Sequence, residues 1–333
     1  MRPRMAESLL QVENLRAGFE TPAGFVRAVD DVSFEVRRGE VLGLVGESGC
    51  GKSATALTLL RLLPRPPAVI EGGRVMFRGQ DLLTLPIEEL RNVRGAHIGM
   101  IFQEPMTALS PLHRIGDQLA EAVLLHRKVS FQEAWALGLD WLRRVQMPDA
   151  EQRMKDYPHQ LSGGMRQRVM LAMTMMMGPE LIIADEPTTA LDVTLQAQIF
   201  EWLLPLRGGD TSVLLITHDM GVVWEVCDRV QVMYAGRLVE RGRREELFER
   251  PAHPYTRALL AAMPRLHGGG KGRLPDIPGQ LPNLIDLPAG CRFAPRCPLA
   301  RPICRARMPE LRELPDGHEV ACWDGIREQA EDA

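Results

Sequence analysis

The sequence lacks any uninterrupted apolar run of about 18 residues, the least that a membrane-spanning helix normally needs. Its richest apolar stretch, Val169 to Ala184, is broken by Gly178, Pro179 and Glu180. We therefore expect the chain to contact a membrane only through other subunits.

The N-terminus also lacks the pattern of a signal peptide. Residues 1–15 contain arginines but no apolar core ahead of a small-residue cleavage site. The formal net charge of −3 gives no sign of the strongly basic surface that holds nucleic acid by counterion release. These two observations predict a chain that stays in the cytoplasm and binds no nucleic acid.

Short apolar runs rich in β-forming residues recur along the chain, each bounded by glycine, proline or charged residues. They are Val41–Val45, Leu181–Ala184, Val213–Thr217 and Val230–Tyr234. Such runs are typical of buried parallel strands. Helical patterns follow at Lys52–Leu63 and Leu195–Leu206. The alternation predicts an α/β core with crossover connections.

Two segments depart from this alternation. Between about Pro111 and Tyr157 the apolar residues recur at three- and four-residue steps without a strand signal, which predicts an inserted helical subdomain at about 104–160. Ten of the 25 prolines lie between Pro264 and Pro315. We therefore predict a core domain at 1–250 and a small, loop-rich, cysteine-containing C-terminal extension at 251–333.

A phosphate-binding loop follows the first predicted strand. The pattern G-x-x-x-x-G-K-S/T begins at Gly46 and ends at Ser53, between a strand and a helical run, as this motif requires. The glycines let backbone N–H groups cradle phosphates, Lys52 reaches the β and γ phosphates, and Ser53 ligates Mg²⁺. The predicted ATP-binding residues are Gly46, Glu47, Ser48, Gly49, Cys50, Gly51, Lys52, Ser53 and Ala54.

Two carboxylates end the apolar run that begins at Leu181. Asp185 and Glu186 should emerge at the carboxyl edge of the sheet, where α/β proteins bind their ligands. Together with the phosphate loop they predict that Asp185 supports Mg²⁺, while Glu186 orients or deprotonates the attacking water.

A second glycine-containing loop opens a helix at Leu161, Ser162, Gly163, Gly164 and Met165. Since one phosphate does not need two cradles, this loop makes sense if it binds the γ phosphate held by a second subunit. Here the sequence resembles the ABC transporter ATPases, whose five-residue signature usually ends in Gln. Met165 removes that polar group, so we expect reduced polar contact without loss of activity.

The resemblance covers further motifs. Gln103 is similar to the Q-loop residue that senses Mg²⁺ and water, His218 to the switch histidine at the γ phosphate, and Asp192 to the D-loop aspartate. Phe19 stands where the family usually places an aromatic residue against adenine. The resemblance thus implies a P-loop NTPase fold of the ABC type, with Glu186, His218 and Gln103 in catalysis.

The C-terminal extension narrows the resemblance. The segments Pro251–Leu260 and Pro278–Pro282, with the cysteine-rich tail, resemble the oligopeptide and dipeptide importer ATPases. This implies two membrane permease subunits, a second ATPase chain that is identical or homologous, and an extracytoplasmic solute-binding protein. It also implies a peripheral position at the cytoplasmic face of the plasma membrane.

Two alternatives stay open at this point. An importer ATPase for another solute, such as nickel or glutathione, would look the same, because the solute never touches this subunit. A soluble ABC ATPase acting on DNA or ribosomes would need coiled-coil arms or a tandem cassette. The chain shows one cassette and no internal repeat.

Four cysteines of the tail, Cys291, Cys297, Cys304 and Cys322, have the spacing C-x5-C-x6-C-x17-C. In a reducing cytoplasm such a group favours metal over disulfides. Structural zinc sites usually use paired C-x2–4-C knuckles, which are missing here, whereas an iron–sulfur cube accepts ligands from separated loops. The resemblance agrees with a 4Fe-4S cluster. Zinc is the alternative, followed by disulfides and then by unligated thiols.

Overall fold

The computed structural model describes residues 7–103, 108–187, 209–263, 277–315 and 317–324. The chain divides into two compact units. Unit 1 comprises Met1–Leu83 and Leu215–Ala333, and unit 2 comprises Thr84–Leu214. No helix in the described ranges is both long and apolar enough to cross a membrane.

The described chain contains both strands and helices. The strands are β1 (Ser8–Thr21), β2 (Gly24–Arg37), β3 (Val41–Val45), β4 (Ala68–Phe77), β5 (Gln80–Asp81), β6 (Ile98–Ile101), β7 (Leu181–Asp185), β8 (Ser212–Thr217), β9 (Arg229–Tyr234), β10 (Arg237–Arg243), β11 (Arg312–Glu313) and β12 (Glu319–Val320). The helices are α1 (Lys52–Leu59), α2 (Ile87–Val93), α3 (Ile115–Leu124), α4 (Phe131–Arg144), α5 (Ala150–Arg153), α6 (Gly163–Met175), α7 (Met220–Val226), α8 (Arg244–Glu249), α9 (Pro254–Ala261) and α10 (Pro302–Ala306), with a 3₁₀ turn at Pro158–Gln160.

The four predicted strands are confirmed, and each lies within one residue of its predicted bounds. Helix α1 is shorter than predicted, because it ends at Leu59 in a Schellman motif. Arg61 adopts φ of 53°, its amide donates to Thr58 O, and Leu62 N donates to Leu57 O. The predicted helix at Leu195–Leu206 lies outside the described residues.

Unit 1 contains an antiparallel sheet that the sequence patterns did not predict. Strand β1 pairs antiparallel with both β2 and β4, in the order β2-β1-β4-β5. The second half of β2 alternates buried Val32, Phe34 and Val36 with more exposed polar residues, as expected of a strand with one buried face.

The second sheet of unit 1 begins with the fully buried strand β3. It pairs in parallel with β9, which is followed by the antiparallel strand β10. The short strands β11 and β12 of the C-terminal extension join the edge of β10. The extension therefore continues the sheet that carries the phosphate loop.

Unit 2 combines the parallel pair β6 and β7 with a helical layer. Helix α4 begins with a capping box, in which Ser130 and Glu133 exchange backbone and side-chain hydrogen bonds. An added Cβ at Gly138 would lie 2.9 Å from Leu119 Cβ, so glycine lets α3 and α4 pack closely. The helical character predicted between Pro111 and Tyr157 is confirmed. Strand β8 crosses the boundary between the two units.

A buried carboxylate ties the C-terminal extension to the rest of unit 1. Glu240 of β10 is fully buried and accepts hydrogen bonds from Ala252 N at 2.6 Å and His253 N at 3.0 Å. The imidazole Nε2 of buried His318 lies 2.8 Å from the same carboxylate. Two separate segments of the extension thus contact one side chain of β10.

We predict that Glu240→Ala lowers the free energy of unfolding by about 2–5 kcal/mol, because it leaves two buried backbone N–H groups without acceptors. Urea unfolding of the full chain, followed by circular dichroism, measures the change. The matched control is Glu225→Ala at an exposed position, which should stay within about 0.5 kcal/mol. Equal effects of the two substitutions would contradict the anchoring role of Glu240.

Candidate nucleotide site

The phosphate loop joins β3 to α1 in unit 1 and turns through three glycines with positive φ: Gly46 at 154°, Gly49 at 80° and Gly51 at 110°. A Cβ at Gly46 would lie 2.2 Å from Met233 O, and one at Gly51 would lie 2.1 Å from Ala28 O. A side chain is therefore excluded at both turns by sterics as well as by backbone conformation.

Lys52 is the first residue of α1, and its side chain folds back over the loop. Its ammonium donates to Gly46 O at 2.8 Å and to Glu47 O at 3.0 Å, and the residue is only 4% exposed. Ser53 and Ala54 follow in the first helical turn. The Cys50 side chain is fully buried, so this residue can face a ligand only through its backbone.

Two other predicted residues lie in unit 1. His218 directly follows β8 and is exposed, and the next residue, Asp219, caps α7 by accepting from Gly221 N and Val222 N. Phe19 lies half-buried in β1, paired with Val26 of β2. Asp192 lies outside the described residues.

Unit 2 brings together the acidic residues and the Q-loop residue. Asp185 ends β7 and is 4% exposed, and Glu186 follows at 7%. Gln103, just after β6, donates from Nε2 to Glu186 Oε2 at 3.2 Å. The parallel pairing of β6 with β7 explains this meeting, because parallel strands deliver the residues after their carboxyl ends to one edge.

Glu186 has a backbone conformation that is unusual for its residue type. Its φ is 45°, in the left-handed region that residues other than glycine enter at a cost of about 1–3 kcal/mol. Such strain is typical of functional sites, where the surrounding structure holds it in place.

The predicted signature loop forms the N-terminus of α6 in unit 2. Ser162 caps the helix by accepting from Met165 N at 3.3 Å, while Leu161 is buried. Ser162 and Gly163 are exposed, and no atom would touch a Cβ added at Gly163. The loop thus presents a helix N-terminus to solvent, as a cradle for an outside phosphate would.

Sequence patterns missed a residue that links the signature helix to the end of β7. Gln167 is 4% exposed, and its Nε2 donates to Pro187 O, directly after Glu186. It lies five residues after Ser162, among half-buried residues of the same helix, and no local sequence pattern marks it. The contact joins the signature loop and Glu186 within one unit.

The four tail cysteines all line one small cavity of about 10 Å³, close to the volume that a single water needs. Burial raises the pKa of the Cys291 thiol to about 11 and also raises the pKa of Cys297. No group of three or more potential ligands among the described residues is arranged to hold a metal ion. The described structure therefore gives no support for the predicted 4Fe-4S cluster or for the zinc alternative.

Comparison with known proteins gives the same assignment as the motifs. A family model described as ABC transporter matches residues 29–189, and one described as oligopeptide/dipeptide transporter, C-terminal region, matches residues 239–304. A probable peptide ABC transporter ATP-binding protein of Sinorhizobium fredii is 53% identical over 319 residues, covering 96% of this chain and 95% of the relative. The chain belongs to the oligopeptide/dipeptide importer family of ABC transporter ATPases.

Further relatives of this ABC ATPase agree. The oligopeptide transport ATP-binding protein OppD of Salmonella typhimurium is 50% identical over 327 residues, covering 98% of this chain and 96% of its own. Among solved structures, the ATP-binding cassette MJ0796, in a dimeric post-hydrolysis state bound to ADP and Pi, matches with a TM-score of 0.63. It is 25% identical and covers 71% of this chain and 98% of its own. The chain is therefore an ATP-hydrolysing P-loop subunit.

The family implies Mg²⁺ as the companion of ATP. The predicted ligands, Ser53, Gln103 and Asp185, offer hydroxyl, amide and carboxylate oxygens, which are the donors that Mg²⁺ prefers. This donor chemistry fits the ion. When bound, Mg²⁺ neutralises charge on the phosphates and thereby favours transfer of the γ phosphoryl group.

We predict that Glu186→Gln keeps ATP binding but lowers turnover by about 10²–10⁴-fold, because an amide cannot accept a proton from water. Lys52→Ala should instead weaken ATP binding itself. Equilibrium binding and steady-state hydrolysis, both measured in the assembled transporter, separate the two effects. Near-normal hydrolysis by Glu186→Gln would remove that residue from catalysis.

Proposed function

We propose that this chain binds MgATP, hydrolyses it and thereby powers the import of di- or oligopeptides through an ABC transporter. One observation carries the proposal. Unit 1 contains both a phosphate loop with glycines at its turns and the extension that matches the C-terminal region of oligopeptide/dipeptide transporters. The names of the relatives, which are peptide, oligopeptide and dipeptide transport proteins, favour peptides over the nickel or glutathione alternative.

In the proposed reaction, Lys52 exchanges its two loop carbonyls for the β and γ phosphate oxygens. Glu186 takes a proton from the water that attacks the γ phosphorus, and Gln103, hydrogen-bonded to Glu186, orients that water. His218 contacts the γ phosphate. The helix N-terminus at Ser162–Gly164 stabilises the γ phosphate held by the second ATPase subunit.

The proposed partners follow from this division of labour. A second ATPase chain, identical or homologous, supplies the signature loop and D-loop that complete each site, and two permease subunits form the path. An extracytoplasmic binding protein delivers the peptide, and this chain sits peripherally at the cytoplasmic face of the membrane. No nucleic acid takes part.

We predict that the transporter reconstituted in liposomes, with ATP on the side of this subunit, hydrolyses ATP faster when the binding protein carries peptide. Phosphate release measures the rate. In the matched control, this chain carries Glu186→Gln. That substitution should abolish the peptide-dependent increase in the rate of ATP hydrolysis. Stimulation by nickel or glutathione in place of peptides would overturn the substrate assignment and leave the ATPase assignment standing.

The 4Fe-4S cluster is a separate proposal that no step of hydrolysis needs. Its support is the cysteine spacing and the fact that all four side chains line one cavity. Uptake of the cluster would require the four thiols to lose their protons and their loops to move apart.

We predict that protein purified without oxygen is brown, absorbs broadly near 400 nm and contains about four irons per chain. Elemental analysis beside a Cys297→Ser variant provides the measurement and its control. Colourless protein with one zinc per chain would favour zinc in place of the 4Fe-4S cluster. Protein free of both metals would reject the metal site and leave four buried thiols.

A further inference from the structure

Glu47, the second residue of the phosphate loop, is held by the C-terminal extension at both its main chain and its side chain. Its amide N–H donates to the hydroxyl of Tyr255 at 2.8 Å. Its carboxylate receives the guanidinium of Arg296 as a two-pronged pair, at 2.7 Å and 3.0 Å. Its carbonyl, in turn, accepts from the Lys52 ammonium at 3.0 Å.

Arg296 is built for this contact. Its side chain is only 4% exposed, and it also donates to Ile277 O at 3.1 Å and to Pro278 O at 2.8 Å. The guanidinium carbon lies 5.8 Å from the ring centre of Tyr234. Because nearly every donor has a fixed acceptor, the planar fork has a single orientation, which is aimed at the phosphate loop.

The loop that carries Arg296 is itself compact. Between Cys291 and Cys297 the backbone closes successive turns, in which Ala294 N donates to Cys291 O and Arg296 N to Phe293 O. The preceding arginine, Arg292, docks the same loop elsewhere, on Asp30 and Ala235 O. This compact loop therefore has two arginine anchors, and one of them reaches Glu47.

Tyr255 approaches from a different element, near the start of α9. It is fully buried, and its ring meets those of Tyr234 and Phe293 with centroids 4.6 Å and 5.4 Å away. This packing fixes the hydroxyl beneath the amide of Glu47. Two segments of the extension thus form hydrogen bonds with one residue of the phosphate loop.

We propose that Arg296 and Tyr255 are positioning residues of the phosphate loop, which hold Glu47 so that the loop is preorganised to receive ATP. The extension is then a part of the nucleotide site in function, although neither residue belongs to the phosphate loop. A loop ordered in advance loses less freedom on binding, so its loss weakens affinity for ATP more than it slows the chemical step.

We predict that Arg296→Gln raises the Kd and the KM for ATP about five- to twentyfold, while kcat at saturating ATP stays within about twofold. Titration of the full-length subunit with a fluorescent ATP analogue gives the Kd, and hydrolysis by the assembled transporter gives KM and kcat. Arg296→Lys keeps the positive charge but loses the two-pronged guanidinium. Its Kd for ATP should lie between those of the wild-type chain and Arg296→Gln.

Two further variants keep the test independent of gross folding. Arg292→Gln removes the other anchor of the same loop, so it should lower the unfolding midpoint while the Kd for ATP stays within about twofold. Tyr255→Phe deletes only the hydroxyl below Glu47 N and keeps the packed ring, so it should raise the Kd even if Arg296→Gln fails to fold.

A double-substitution cycle tests the specific pair. Glu47→Gln combined with Arg296→Gln should bind ATP no more weakly than Arg296→Gln alone, because both remove one interaction. Unchanged Kd in folded Arg296→Gln and in Tyr255→Phe would overturn the inference, as would an equal rise in Arg292→Gln. The inference rests on the proposed ATP site. Failure of the inference can be distinguished from failure of that site, because the wild-type chain would still bind ATP.

Discussion

Two backbone carbonyls press against the phosphate loop so closely that a side chain at Gly46 or Gly51 would overlap them. Met233 O comes from β9, the strand beside β3, and Ala28 O comes from β2 of the antiparallel sheet. Both sheets of unit 1 are therefore required to shape the loop. Helix α1 begins directly after Gly51, and the Lys52 ammonium returns to donate to Gly46 O.

The C-terminal extension confines the loop from a further direction, through buried polar contacts. Glu240 binds the chain where the extension begins, and Asp30 receives Arg292 and Arg237. Burial alone would raise the pKa of Asp30, but the two guanidinium groups outweigh it and lower that pKa. Because a buried charge without its partner is strongly destabilising, these pairs stabilise the docking of the extension.

The parts of this fold that could be predicted from sequence are those with local signals. Strands such as β3 and β7 are buried on both faces and appear as apolar runs, and the phosphate loop has a fixed spacing of glycine, lysine and serine. Strand β1 escaped prediction because register shifts and a residue with positive φ, Asn14, interrupt its alternation.

Contacts between distant segments had no local signal. The pair of Arg296 with Glu47 spans 249 positions, so neither residue type nor spacing announces it. The metal prediction had a local signal, because the cysteine spacing indicates that the four residues converge. It contains no information about the cavity left between them, which here has room for about one water.

The motifs divide between the two units in a way that matters for the reaction cycle. The phosphate loop and His218 belong to unit 1, whereas Gln103, Asp185, Glu186 and the signature loop belong to unit 2. Within unit 2, Gln167 joins the signature helix to the segment after Glu186. In the proposed dimer, a shift of the signature loop would therefore act on the strained backbone at Glu186. The proposed contribution of one subunit to its partner's site would thus be linked to the proposed base of its own site.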